Sequence, residues 1–273
     1  MGRHGPPSIA APIAEGPAPS PWLKPEPPAY RLSCIMKKKK TGGTAWHKVI
    51  IGVISAVGIA AYASVLISMM TWDLLEVGNV RITAIGFLSG AVFWMILRKK
   101  LGFFGVFEHE FAHLVMGLLM LRKPEAFFAT ATRGHVRVGG KNFLVDLAPY
   151  YFPTFSIILL LVFPLLKESA YPVYFPMLGF ITGYHLVSQI IDFKFYQGDI
   201  RVSGRAFSVV FCLFASLLAF GFIFAFVVGG YRGGWEFVKA GVPEAGRLLA
   251  IGYEYLRDFW EFATARPAEV PAD

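Results

Sequence analysis

Apolar residues along this chain gather into six long stretches, which short polar or basic segments separate. A run of about 20 apolar residues is long enough to cross the hydrocarbon core of a bilayer as a helix. The pattern therefore predicts an all-α polytopic membrane protein with about six hydrophobic segments. The segments are residues 48–71, 82–97, 101–121, 147–166, 171–191 and 206–229.

Segment composition divides the chain into four regions. Residues 1–45 are rich in proline and end in a lysine cluster, which predicts a disordered tail. Residues 46–100 hold two N-terminal transmembrane segments, residues 101–230 form a membrane core, and residues 231–273 form an amphipathic interfacial region. The apolar side chains of this C-terminal region fall on a single helical stripe. Its members are Leu248, Leu249, Tyr255, Leu256, Phe259 and Trp260.

Composition and charge narrow the class of protein. Hydrophobic residues make up 55% of the chain and the mean hydropathy is +0.54, above what a soluble domain carries. The net charge is +8, but the basic residues gather at segment ends, which favours membrane topology and anionic lipid over nucleic acid. Lysines before the first segment place the N-terminus in the cytoplasm. Cys34 and Cys212 imply no disulfide framework.

One motif inside the third segment has residues that can bind a metal ion and activate water. Residues 109–113 read His-Glu-Phe-Ala-His, the pattern H-E-x-x-H. Helix positions i and i+4 share a face, so His109 and His113 can bind one Zn²⁺ while Glu110 reaches a water molecule beside it. An ionisable side chain inside a membrane helix costs about 3 kcal/mol, so it is seldom there without a partner or a function. The alternative is a pair of structural histidines hydrogen-bonded within the bundle.

A catalytic zinc usually takes a third protein ligand, and the chain has few aspartates to supply it. Three of them lie in a loop or in the C-terminal tail: Asp73, Asp258 and Asp273. Three candidates remain. Asp146 precedes Leu147 and is also suited to cap the fourth helix. Asp192 ends the fifth segment, and Asp199 leads into the sixth.

The segment between the third and fourth stretches, residues 126–140, has a different period. Valines alternate with polar residues over 135–138, and residues 133–134 suit a turn, so the pattern predicts a short β-hairpin. The free edge of such a hairpin can pair with an extended substrate. The alternative is an ordinary extramembrane loop. We interpret His135 as a polar loop residue, and His185 in the fifth segment as a buried histidine that supports either the packing or the site.

In these residues the chain resembles the site-2 protease family of intramembrane zinc metalloproteases, and in particular a bacterial subgroup. The resemblance covers about residues 101–215. It is carried by the motif at 109–113, by the hairpin after it, by the stretches 147–153 and 198–204, and by the separation between His113 and Asp199. The family commonly has Asn-x-x-Pro leading into Leu-Asp-Gly; here Ile200 follows the aspartate and that asparagine is missing.

The resemblance implies a function for the core. Zinc would be held by His109, His113 and Asp199, and Glu110 would activate water to cleave peptide bonds of membrane-embedded protein substrates. It also implies a bacterial inner membrane as the location. Two alternatives come from other classes: a non-catalytic scaffold or complex subunit with a degenerate site, which the missing asparagine motif favours, and a transporter, which the lack of an internal repeat disfavours.

The linear order of the segments raises a conflict. If each segment crosses the membrane once, His109 and Asp199 lie on opposite sides, and the basic residues that follow the third segment lie outside, against the positive-inside rule. We therefore expect one segment to be re-entrant or broken. The fifth, residues 171–191, is the first suspect because of its prolines and glycines: Pro172, Pro176, Gly179 and Gly183.

Overall fold

A computed structural model describes residues 46–140 and 142–264; the predicted N-terminal tail lies outside the described residues. The helices are α1 (Trp46–Met69), α2 (Gly78–Leu97), α3 (Gly102–Leu119), α4 (Phe143–Leu147), α5 (Thr154–Val162), α6 (Tyr171–Asp192), α7 (Gly198–Ser203) and α8 (Arg205–Thr264). The strands are β1 (Pro124–Ala129) and β2 (Gly134–Val138). Short 3-10 turns lie at Trp72–Glu76, Ala148–Tyr150, Phe163–Leu165 and Glu168–Ala170. The prediction of a mainly helical protein with one hairpin is confirmed.

Three of the described helices, α1, α2 and α8, are long and apolar enough to cross a membrane, and a bent pair would make four. Six spans are therefore not confirmed. The third segment forms α3, an 18-residue helix in which two histidines and two glutamates interrupt the apolar run. The fourth segment is not one helix. Both segments lie in the predicted membrane core, residues 101–230, which carries the motif at 109–113.

The break in the chain lies in the fourth segment and not in the fifth, so the suspicion against residues 171–191 is wrong. Residues 143–150 and 154–165 meet at an angle of 88°. Pro149 and Pro153 flank this bend and cannot donate backbone hydrogen bonds. The fifth segment instead forms the continuous helix α6, in which Pro172 lies in the first turn, where no helical hydrogen bond is lost.

Glycines spaced four residues apart join α2 to α6. They are Gly86 and Gly90 on α2, and Gly179 and Gly183 on α6. A Cβ at any of the four would collide with the backbone of the other helix. Gly86 faces residue 176 and Gly90 faces residue 180, so the two helices run in the same direction. Small residues at this spacing let helix backbones touch in a membrane. The glycines of the fifth segment are therefore packing residues, not breaks.

The 60-residue element α8 is a helical hairpin. Its path leaves helical geometry at Gly229 and at Gly230, where φ is +62° and glycine is favoured. The two arms, residues 205–228 and 231–264, then fold against each other, since the ring of Phe237 covers Gly221 on the first arm. Helix α1 packs on the same hairpin, and the Tyr62 hydroxyl donates to the Val238 carbonyl at 2.8 Å.

The β-hairpin folds back along α3. Its turn lies at residues 130–133, slightly earlier than predicted, and Thr130 closes it through hydrogen bonds with Arg133. Strand β2 alternates as predicted: Val136 and Val138 are half-buried towards α3, whereas His135 and Arg137 are exposed. The loop alternative is therefore wrong. The hairpin covers one flank of the motif helix.

Candidate metal centre

The three residues that the resemblance selected as ligands come together in the structure. Donor atoms of His109, His113 and Asp199 all lie within 4.8 Å of one another. The Nε2 atoms of both histidines are 3.8 Å from Oδ2 of Asp199. Ligand atoms around a tetrahedral zinc are separated by about 3.4 Å, so a small side-chain rotation would close the site on an ion. The cluster could hold a metal ion.

Hydrogen bonds from neighbouring elements orient these side chains. His113 is buried, and its Nδ1 lies 2.7 Å from the carbonyl oxygen of Val145 in α4. That contact places the ring proton on Nδ1 and leaves Nε2 free to bind a metal. The Tyr150 hydroxyl donates to Oδ2 of Asp199 at 3.3 Å, and its ring packs edge-on against His109. The residues that lead into the 88° bend thus support the cluster.

The fold also removes the conflict between His109 and Asp199. Helix α1 begins where α7 ends, since Lys48 donates to the Ser203 carbonyl at 2.7 Å. The ends of α2 and α6 border a cleft that also reaches His109. The start of α1, the ends of α2 and α6 and the start of α8 therefore meet at one end of the bundle. Asp199 in α7 reaches α3 without crossing the molecule.

The other two candidate aspartates lie nearby but outside the cluster. Asp146 lies inside α4, which Asn142 caps by accepting from the Leu144 amide at 3.0 Å, so the predicted capping role of Asp146 is wrong. Asp146 borders the same cleft as Asp199. Asp192 ends α6, and the Ser188 hydroxyl donates to it at 3.4 Å. Of the three aspartates, only Asp199 converges with both histidines.

Glu110 lies beside the cluster and under the hairpin. A Cβ at Gly134 would collide with the Glu110 side chain, so a glycine at the start of β2 makes room for the carboxylate. Glu110 borders two open clefts, each of roughly 430 to 440 Å³. One runs between α2, α3 and the hairpin turn. The other runs along β2 past the metal cluster, and exposed His135 borders it without joining the cluster.

The structure adds a residue that the sequence patterns did not single out. Glu108 is buried, and its Oε1 lies 2.5 Å from Nδ1 of His185. Nε2 of His185 accepts from the Phe155 amide at 3.2 Å, just after the bend. His185 is therefore a partnered buried histidine, as predicted, and it joins α3, α5 and α6. In the sequence, the signal for such a pair is Glu108 itself, an acid inside an apolar segment that needs a partner.

Comparison of this chain with protein-family models, with curated proteins and with solved structures finds no match.

Proposed function

We propose that the chain is an intramembrane zinc metalloprotease that hydrolyses peptide bonds of membrane-embedded proteins. The observation that carries the proposal is the convergence of His109, His113 and Asp199 with Glu110 beside them. Two imidazoles and one carboxylate are a donor set that catalytic zinc takes, with a fourth position left open. A zinc ion held there would polarise the scissile carbonyl and make water acidic enough to ionise near neutral pH.

The role assigned to Glu110 is that of general base. Its carboxylate is not part of the three-residue cluster, so it is free to accept the proton of the attacking water and then to donate it to the leaving amine nitrogen. The half-buried position under Gly134 keeps the carboxylate next to both clefts. Proton transfer of this kind typically contributes about 10²- to 10⁴-fold to the rate.

Strand β2 is the surface proposed to hold the substrate. The sheet has two strands in the described residues, so one edge of β2 has no strand partner there. The cleft past the cluster is lined by β2 and by no residue of β1, which puts the free edge on the cleft side. A helical peptide bond is shielded by its own hydrogen bonds. A substrate that unwinds and pairs with β2 would present an extended bond to Glu110.

The charge distribution supports a cytoplasmic site. Basic side chains crowd the end of the bundle where α1 and α8 begin and α2 and α6 end: Lys48, Arg98, Lys99, Lys100, Arg133, Lys194, Arg201 and Arg205. Among the described residues, the opposite end carries three acids, Asp73, Glu76 and Glu168, against three basic residues, Arg81, Lys167 and Arg232. Because the hairpin turn folds back to the start of α3, Arg133 in that turn agrees with the positive-inside rule.

The experiment compares Glu110→Gln with Glu125→Gln, a matched change at an exposed acid on β1. Purified protein is reconstituted with a panel of single-span membrane proteins, and zinc content and cleavage are measured together. We expect Glu110→Gln to keep its zinc and lose cleavage by at least about 100-fold. Glu125→Gln should match the wild type. Equal cleavage by Glu110→Gln and wild type would reject the proposed role and favour the scaffold alternative.

A further inference from the structure

A small void lies behind the metal cluster, between α3, α6 and the bend. Its volume is about 10 Å³, which is close to the least that a single water molecule requires. Four of its lining residues are polar: Glu108, His109, Ser188 and Asp192. Buried water occupies a void of this size when two to four polar groups surround it. The void therefore meets both the size and the chemical requirement for one water molecule.

Glu108 supplies the strongest indication of an occupant. The residue is more than nine-tenths buried, and Oε1 faces His185. The other oxygen, Oε2, is fully buried and has no hydrogen-bond partner among the residues that the structure describes. His185 cannot serve both oxygens, since its Nε2 already accepts from the Phe155 amide. The Tyr184 hydroxyl also approaches this carboxylate, but not so as to pair Oε2. Buried carboxylate oxygens are rarely left unpaired, and Glu108 lines the void, so a donor there would satisfy Oε2.

Two other polar groups line the void, the ring of His109 and the carboxylate of Asp192. Nε2 of His109 lies 3.8 Å from Asp199. The Ser188 hydroxyl donates to Asp192 at a long 3.4 Å. A ligating histidine usually donates its second ring N–H to a carboxylate, a carbonyl or a water molecule. Between α3 and α6, the void is where such an acceptor fits.

We propose that this void binds one ordered water molecule, which accepts a hydrogen bond from Nδ1 of His109 and donates to Glu108 and Asp192. The water joins the Glu108–His185 pair to the metal centre, and the two carboxylates act as positioning residues for His109. This inference rests on the proposed function only where it concerns the metal. The void and the hydrogen bonds from the water to Glu108 and Asp192 belong to the fold and need no ion. The donation from Nδ1 of His109 requires that Nε2 carry no proton, as when Nε2 binds a metal.

The first test needs no metal. A high-resolution map of the metal-free, full-length protein should show one ordered water in the void, within hydrogen-bond distance of Glu108 and Asp192. An empty void overturns the proposal. An ordered water in a protein that binds no zinc would support the water site and contradict the proposed function, so the two failures are distinguishable.

The second test measures positioning in Glu108→Gln and Asp192→Asn, with Glu168→Gln as the matched change at an exposed acid at the opposite end of the bundle. Removing a partner that orients a ligating histidine typically weakens metal binding by about 10- to 100-fold. We expect that loss in zinc competition, together with a changed visible spectrum of the Co²⁺-loaded protein. The control should match wild type in both measurements.

Ser188→Val keeps both carboxylates and fills the void. This variant therefore tests the water site even if the fold does not accept glutamine at position 108. It should expel the water and weaken zinc binding by a similar factor. If Ser188→Val, Asp192→Asn and wild type share one zinc affinity and one Co²⁺ spectrum, Glu108 and Asp192 do not position His109 through water.

Discussion

In the α2–α6 pair backbone lies directly on backbone, whereas around α3 the contacts are made by polar side chains. Four glycines leave no room for a methyl group between α2 and α6. Helix α3 is held instead by polar contacts, from His113 to the Val145 carbonyl of α4 and from Glu108 to His185 of α6. The two regions are therefore sensitive to different changes. The helix pair depends on side-chain size, and the site depends on side-chain chemistry.

The largest expected effect comes from removing both imidazoles. The double variant His109→Ala/His113→Ala should fall from about one zinc per chain to none, because one carboxylate does not hold the ion by itself. Metal analysis of protein purified in parallel with wild type measures this. The α2–α6 pair is untouched, so the helical content should be unchanged. Zinc retained at the wild-type level by the double variant would defeat the assignment.

The converse change is made in the helix pair. Gly183→Ala puts a Cβ into the backbone of Phe87 and should destabilise the fold by about 1–3 kcal/mol through overpacking. Gly52→Ala on α1 is the control, since a Cβ there meets no atom within 4 Å. Unfolding of both variants in detergent gives the comparison. Equal stability would show that backbone contact between α2 and α6 matters less than their glycines indicate.

A smaller effect is expected at Gly134, under the hairpin, where the lack of a side chain leaves room for the Glu110 carboxylate. Gly134→Ala displaces the Glu110 side chain, and we expect cleavage to fall by about tenfold, within the contribution of a general base, with zinc content unchanged. Gly139→Ala is the matched control, because its Cβ would make only ordinary contacts at 3.8 Å or more. Parallel loss of zinc in Gly134→Ala would mean that β2 supports the ligands and not Glu110.

The smallest expected effect is that of Tyr150→Phe. The change removes one hydroxyl that donates to Asp199 and keeps the ring against His109. One hydrogen bond to a carboxylate contributes about 1–2 kcal/mol, so zinc affinity should fall by roughly 5- to 30-fold. Tyr253→Phe, an exposed position on the second arm of α8, should leave affinity unchanged. An unchanged zinc affinity in Tyr150→Phe would show that the hydroxyl does not orient Asp199 for metal binding.

The same contrast explains which features were predictable. The motif at 109–113 and the alternation in β2 are local patterns, and a local period shows in the sequence. The place of the break was not predictable from composition. Prolines bend the chain at Pro153 but are accommodated at Pro176, and Gly183 serves close packing, which shows only when the partner helix is known. Glu108 was missed because its partner, His185, is 77 positions away in the sequence.

The unpaired edge of β2 has a consequence for the solvent around the site. Backbone N–H and C=O groups without partners are not tolerated against lipid; at membrane depth they occur only where protein or water satisfies them. Glu110 pairs with the Val136 backbone, and the remaining edge groups of β2 need water in the cleft, which His109 and Glu110 also border. Under the proposed function, hydrolysis inside a bilayer needs a supply of water, and hydration of this strand edge would provide it until a substrate paired there.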